Sequence, residues 1–429
     1  MESKLNDNGS VRRPIAVAKA MPADLPAVRF PACRHAKRRK PRASTFTWLA
    51  SEPYRLFFLS GILFSIAGVM MWPMLYRGLL GFYPGTSHAR VMVQAFCGAF
   101  VVGFLGTAGP RILSAPRLKP WELLPLFALH LANGICHLRG LTFAGDVLFL
   151  ALLGGFSISM GARFIWFRKD LPPPPLMLAG TGIACGLAGT LLWLNPQWMT
   201  TTAVYRLAGL LLYQGFLLGP VMGVGIFLFP RLLGGTFGEP EPGAATRRSL
   251  RHMGLAAAAL LASFAIEVWW NPSVAIALRV AALVFALGHV RWIRSRGATP
   301  AGTLANALRL WSLPLAVAGL GATAFVYPKH IAFEHLLFAS GFGLLCLIAG
   351  SRVLFGHSGA VERFAARSWI GRLIVFAAVL AALTRLSADF LPRVMVTHYE
   401  YAAFSWVAAA GLWTLWHAGR FFKRDEDPH

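Results

Sequence analysis

The sequence predicts an all-α fold: a polytopic transmembrane bundle of about twelve spans with both termini cytoplasmic. Three observations carry this prediction. The chain of 429 residues is 56% hydrophobic and only 14% charged, with a mean hydropathy of +0.57. That is too apolar for a disordered chain and leaves little room for a soluble surface. Second, stretches long enough to cross a bilayer, at about twenty apolar residues each, alternate with short polar breaks after residue 52. Third, the surplus of 41 Lys+Arg over 17 Asp+Glu, a formal net charge of +24, gathers in alternate breaks. A nucleic-acid-binding protein would spread such a surplus over a charge-rich surface, so nucleic acid is excluded as a partner and the lipid bilayer takes its place.

The elements follow in chain order. Residues 1–45 hold eleven Lys/Arg against three acidic residues, with the run Arg34 to Arg42 and no apolar segment of signal-peptide type, and read as a disordered basic cytoplasmic arm. Residues 46–424 form one membrane domain, and 425–429 end the cytoplasmic tail. Its helices are expected at 54–76, 88–109, 120–138, 145–167, 174–194, 203–229, 252–270, 273–291, 303–327, 332–354, 369–391 and 400–420. Prolines punctuate them: Pro110, Pro172 to Pro175, Pro230, Pro272, Pro328 and Pro392 fall at or near expected ends. The pairs Gly182 with Gly186 and Gly219 with Gly223 suit close helix contact in lipid.

The basic residues fix the orientation. Breaks after even-numbered helices hold Arg111, Arg117 and Lys119; Arg163, Arg168 and Lys169; Arg231, Arg247, Arg248 and Arg251; Arg291, Arg294 and Arg296; and Arg352, Arg363 and Arg367. The other breaks hold only Arg77, Arg139, Lys329 and Arg393. By the positive-inside rule the former side is cytoplasmic, which suits a multi-pass protein of a bacterial-type inner membrane.

Depth then sorts the polar residues. His88, His137, His330, His335 and His398 fall near outer helix ends; His252, His289, His357 and His417 fall near inner ends. His130 sits about mid-membrane, two turns from His137 on one face of the third helix. Each terminal histidine taken singly suits snorkelling. Imidazoles from different helices meeting at one depth are what a haem or copper site needs, which makes His88, His335, His137 and His130 the candidate metal ligands. Met70, Met71 and Met74, and the thiols of Cys97 and Cys136, are further soft donors or ordinary packing residues. Arg55, Arg206, Arg279 and Arg309 lie within spans and need an anionic partner; Arg55, Arg206 and Arg309 are expected nearer inner ends, the carboxylates Asp146, Glu267, Glu334, Asp389 and Glu400 nearer outer ends. The five cysteines form no CxxC or CxxCH pattern, which leaves a disulfide framework, a Cys-pair zinc site and covalent haem attachment without support. No phosphate loop and no nucleophile elbow is present.

Three segments carry a resemblance. They are Tyr54-Arg55-Leu56-Phe57-Phe58-Leu59; His88-Ala89-Arg90-Val91 followed by Gly103-Phe104-Leu105-Gly106-Thr107-Ala108-Gly109-Pro110; and His335 leading through Ser351-Arg352 to Gly356-His357-Ser358-Gly359. They resemble, in order, the Arg-Pro-Phe-Phe entry, the His-x-His-Glu and G-F-L-x-T-A-x-P pair, and the His, Thr/Ser-Arg and Gly-His-Thr-Gly sequence of the NnrS family. These are polytopic bacterial membrane proteins associated with haem and copper and with resistance to nitric oxide. The resemblance implies haem, with copper open beside it, nitric oxide as a small ligand, and cofactor-binding roles for His88, His335, His357 and Arg352. Arg90 stands where the family has its second histidine, Val91 where it has glutamate, and Leu56 where it has proline. His335 and His357, 22 residues apart on one helix, cannot share a metal, being about 33 Å apart. A secondary transporter of a small solute is the alternative reading; against it, the sequence shows no convincing internal repeat and no acidic residue near mid-membrane.

Overall fold

The computed structural model describes residues 49–233, 244–288 and 302–423. The basic arm at 1–45, the tail end at 425–429, His289 and the trio Arg291, Arg294 and Arg296 lie outside the described residues. Among those described there is no strand. The chain forms rods α1 Pro53–Tyr76, α2 Gly85–Ile112, α3 Pro120–Leu138, α4 Thr142–Phe167, α5 Leu176–Trp193, α6 Thr202–Pro230, α7 Ala244–Trp269, α8 Pro272–Gly288, α9 Thr303–Ala322, α10 Tyr327–His357, α11 Trp369–Ala388 and α12 Met395–Phe421. Nine of these are long and apolar enough to cross a membrane; α8, with 17 residues, is apolar but shorter, and α3 and α12 carry more polar residues. A polytopic helical membrane bundle is therefore the fold, and its rods fall where the apolar stretches are.

Side-chain placement is that of a protein solvated by lipid. Leu63, Phe376 and Leu415 are exposed at mid-helix, whereas Arg55, Arg90 and Arg279 are among the largest fully buried side chains. In water that distribution would be reversed.

The rods pack as three successive groups of four. In each group the first helix lies along the second and the third along the fourth: α1 on α2 and α3 on α4, α5 on α6 and α7 on α8, α9 on α10 and α11 on α12. Contacts of α4 with α5, α8 with α9 and α12 with α1 close the groups into a ring. The repeat that the sequence conceals is thus present in the packing. Small residues let the pairs approach: a Cβ on Gly219 would lie 2.5 Å from the Cα of Gly182, and one on Gly103 2.9 Å from the Phe58 ring. Trp406 donates to Ser65 Oγ at 3.1 Å, and Trp413 to Leu347 O at 2.9 Å, tying α12 to α1 and α10.

The second helix of each group faces the middle. Residues of α2, α6 and α10, with Phe58 of α1, line a central apolar cavity of about 90 Å³. Each of these three helices is interrupted by a π-helical stretch, Val91–Cys97, Leu210–Gly215 and Leu336–Gly343. A wide turn of this kind rotates the side chains that follow it and recurs at functional sites. Here all three stretches lie toward the arginine-poor end of the bundle, opposite the end that carries Arg111, Arg163, Arg352 and Arg363. The two are called below the far end and the basic end.

Candidate functional site

Three polar clusters sit at the far end, one at each corner of the inner trio. In the first, Arg90 on α2 pairs with Asp146 on α4 at 2.8 Å; the guanidinium is fully enclosed and the carboxylate nearly so. Gln94, one turn along α2, donates to the same carboxylate oxygen at 2.6 Å. Its carbonyl oxygen accepts from Asn133 at 2.9 Å and from His137 Nε2 at 2.8 Å, both on α3. An amide oxygen only accepts, so this Nε2 carries the hydrogen. Arg90 also bonds to the Tyr213 hydroxyl and lies 4.3 Å from the Trp193 ring centre, which links α2 to α6 and α5.

The second cluster centres on Glu267 of α7, which takes Arg206 of α6 at 2.6 Å and Arg279 of α8 at 2.7 Å. Arg279 donates to Gln214 Oε1 at 2.6 Å, and Gln214 donates onward to Glu334 of α10 at 3.0 Å. Arg206 reaches His330 of α10 at 3.3 Å. This corrects one expectation: Arg206 lies at the far end with its carboxylate, not near the basic end. The rod α6 begins at Thr202, so a residue one turn in stands beside the end of α7.

The third corner, between α10 and α2, is built differently. His88 Nδ1 lies 3.0 Å from Gly68 O, and His335 Nδ1 2.6 Å from Ile331 O. Since a carbonyl only accepts, each Nδ1 carries the hydrogen and each Nε2 presents a lone pair. Among the described residues neither Nε2 has a hydrogen-bond partner. Both rings are half-buried, interact electrostatically with each other, and share Arg385 of α11 as a charged neighbour. Arg385 is held by Asp389 at 2.9 Å and lies 4.4 Å from the centre of the Tyr399 ring. Trp72 packs on His88 with ring centres 5.9 Å apart and on Tyr399 at 6.0 Å.

The remaining candidates are placed apart from this pair. His137 belongs to the first cluster. His130, two turns deeper, bonds to Ser60 Oγ at 2.9 Å among Phe57, Phe64 and Phe127. His357 and Arg352 lie at the basic end of α10, with the His357 ring 4.6 Å from Tyr54, so one rod separates His335 from His357 as the helical rise requires. Met71 is buried and Met74 exposed. Cys97 and Cys346 both line the central cavity, whereas Cys136 lines neither described cavity. Among the described residues no three His, Cys, Asp or Glu side chains come together as a metal-holding group.

Sequence reasoning missed the amides. Gln94, Asn133 and Gln214 join the ion pairs into networks, and the available signal was a carboxamide inside an otherwise apolar run. It also missed Glu52, which takes Arg111 and Arg117 at 2.8 Å each, and Glu122 with Arg163 at 2.7 Å; these pairs fasten the basic end.

The fold and the far-end clusters define a polytopic helical membrane protein whose inner helices carry charged and imidazole groups within the bundle. A family model described as NnrS protein matches residues 48–424, nearly the whole chain. The chain belongs to the NnrS family. None of the curated proteins matches it.

Proposed function

We propose that this chain is a haem-binding membrane protein of the NnrS type acting in the response to nitric oxide or nitrosative stress, with His88 and His335 as its imidazole ligands. The observation that carries the proposal is a pair of imidazoles at the far ends of different helices, each fixed through Nδ1 on a backbone carbonyl with Nε2 left to a ligand. Metal-bound histidines are oriented in this way, the second nitrogen setting tautomer and ring angle. The residues fit the group in charge as well. Arg385 bonds to Asp389 through one nitrogen and brings positive charge to the same corner, where an anionic substituent would be favoured, and Trp72 and Tyr399 supply aromatic surface around His88. Bound there, haem would supply the redox and diatomic-ligand chemistry. The protein's share is to hold two neutral imidazoles and keep bulk water from one side. The apolar cavity beneath suits an uncharged diatomic molecule such as nitric oxide.

Copper is proposed only as a second occupant of the same donor chemistry, since imidazole suits it too. The basic end is assigned to the cytoplasm of a bacterial-type inner membrane on the distribution of Lys and Arg. Protein purified from haem-replete cells should show a Soret band with bound iron. His88→Ala and His335→Ala should each abolish or shift that band, and His357→Ala should leave it. A colourless wild type free of iron and copper would overturn the proposal; solute uptake into proteoliposomes, unaffected by both substitutions, would favour a transporter.

A further inference from the structure

A second cavity, of about 470 Å³, lies at the seam of α8 and α9, where the second group of helices meets the third. This is the least extensive of the three seams that close the ring. Its walls are apolar except for Ser312 and Arg309 of α9. The Ser312 hydroxyl is already spent on Gly341 O at 3.0 Å. Arg309 is exposed and has no ion-pair or hydrogen-bond partner among the described residues. An empty apolar slot of this size would forfeit the contacts of its whole lining, and in a bilayer the molecules at hand to fill it are lipids.

Position and depth identify which lipid. Along α9 the lining runs from Arg309 to Ala318. These nine steps measure about 13.5 Å at 1.5 Å per residue. One leaflet's hydrocarbon is about 15 Å thick, half of the roughly 30 Å core. Arg309 is at the basic end of the slot, and Leu337 of α10 lines it toward the middle of the bundle. Arg309 stands six residues, about 9 Å, inside the basic end of α9, so its guanidinium reaches the headgroups of that side by snorkelling. With the apolar trough beyond it running across the middle of the bundle, it is complementary to an amphiphile with an anionic head and a hydrocarbon tail.

We infer that this seam binds one anionic phospholipid of the leaflet at the basic end, its phosphate on Arg309 and an acyl chain between α8 and α9. Val221, Phe342 and Leu345 line both this slot and the central cavity, so the chain also seals the central cavity from the bilayer. Haem binding is not required for this.

The test is lipid analysis of the full chain purified in mild detergent, by extraction and native mass spectrometry, with phosphatidylglycerol and phosphatidylethanolamine as competing probes. Wild type should retain about one phosphatidylglycerol per chain. Arg309→Ala should lower its retention roughly fivefold, the share of one basic residue in holding an anionic headgroup. Arg309→Lys should restore it, and Val317→Trp, which fills the trough, should abolish it with a monodisperse elution profile. Equal retention in wild type, Arg309→Ala and Val317→Trp would overturn the inference, as would no preference for phosphatidylglycerol. Loss of haem from Arg309→Ala with lipid unchanged would overturn it as well, by making Arg309 a haem contact; a wild type without haem that still retains the lipid would count against the haem reading alone.

Discussion

Asp146→Asn isolates a single charge inside the bundle. Asp146 Oδ1 accepts from both Arg90 Nε, at 2.8 Å, and Gln94 Nε2, at 2.6 Å. The Asn oxygen can accept from both, so size and hydrogen bonds are kept and the negative charge is lost. Arg90 is fully buried and cannot reach water. Removing one partner of a buried pair costs about 3–5 kcal/mol. The lower end applies, because Arg90 keeps the Tyr213 hydroxyl and the Trp193 ring at 4.3 Å. A loss of about 3 kcal/mol lowers the folded-to-unfolded ratio by roughly two powers of ten. Reversible unfolding in mixed micelles, followed by tryptophan fluorescence, reads this directly. Replacing both partners, Arg90→Met with Asp146→Leu, removes the charge from both sides and should recover most of the stability, because two apolar side chains need no solvation. An Asp146→Asn variant within about 0.5 kcal/mol of wild type would refute the reasoning; that is the spread expected of a harmless substitution. So would a double variant weaker than either single one.

Two further predictions concern packing and metal. Gly219→Val should cost about 1–3 kcal/mol or more, since its Cβ would meet the Gly182 backbone at 2.5 Å and the Leu178 carbonyl at 2.7 Å, whereas Gly411→Ala, with nothing near its Cβ, should be neutral; the same unfolding assay separates them. Arg90→His places an imidazole beside His137 and Asp146, which already approach to 3.9 Å, and should add one bound divalent ion per chain by metal analysis, an increment that must vanish in Arg90→His with His137→Ala.

The rods were legible because membrane insertion is read from local sequence: twenty apolar residues and a charge at the proper end are properties of one segment. Partnerships were not. Arg90 and Asp146 are 56 residues apart, and Gln214 and Glu334 are 120 apart. Nothing in one helix says which way another faces it. Arg206 needed no partner to be placed: the span expected at 203–229 runs inward and begins three residues before it, which already puts it at the far end, so its assignment to the basic end disagreed with that span. That His88 and His335 lie at the same end of the bundle was legible, because depth along two helices of known direction suffices for that. The repeat of four helices escaped notice because it is kept in packing while the polar residues differ: Asp146 with one arginine in the first group, Glu267 with two in the second, Asp389 in the third.

The departure at position 90 explains how the far end divides its work. Residues 88 and 90 are two apart on a helix, about 200° around its axis, and so point to nearly opposite sides. Arg90 accordingly meets α4, α5 and α6, and His88 meets α1 and the α10 side. An arginine in place of a histidine there takes a donor from the α2–α6 corner and none from the α10–α2 corner. It also converts the first corner into an ion pair that cross-links α2, α4 and α6, as Glu267 does for α6, α7 and α8. With two corners fastened by ion pairs between helices, the third holds the two imidazoles whose Nε2 atoms have no hydrogen-bond partner among the described residues. On the proposed function, rigid neighbours of this kind would keep His88 and His335 in place before any ligand arrives, which is what a site of two imidazoles on separate helices requires.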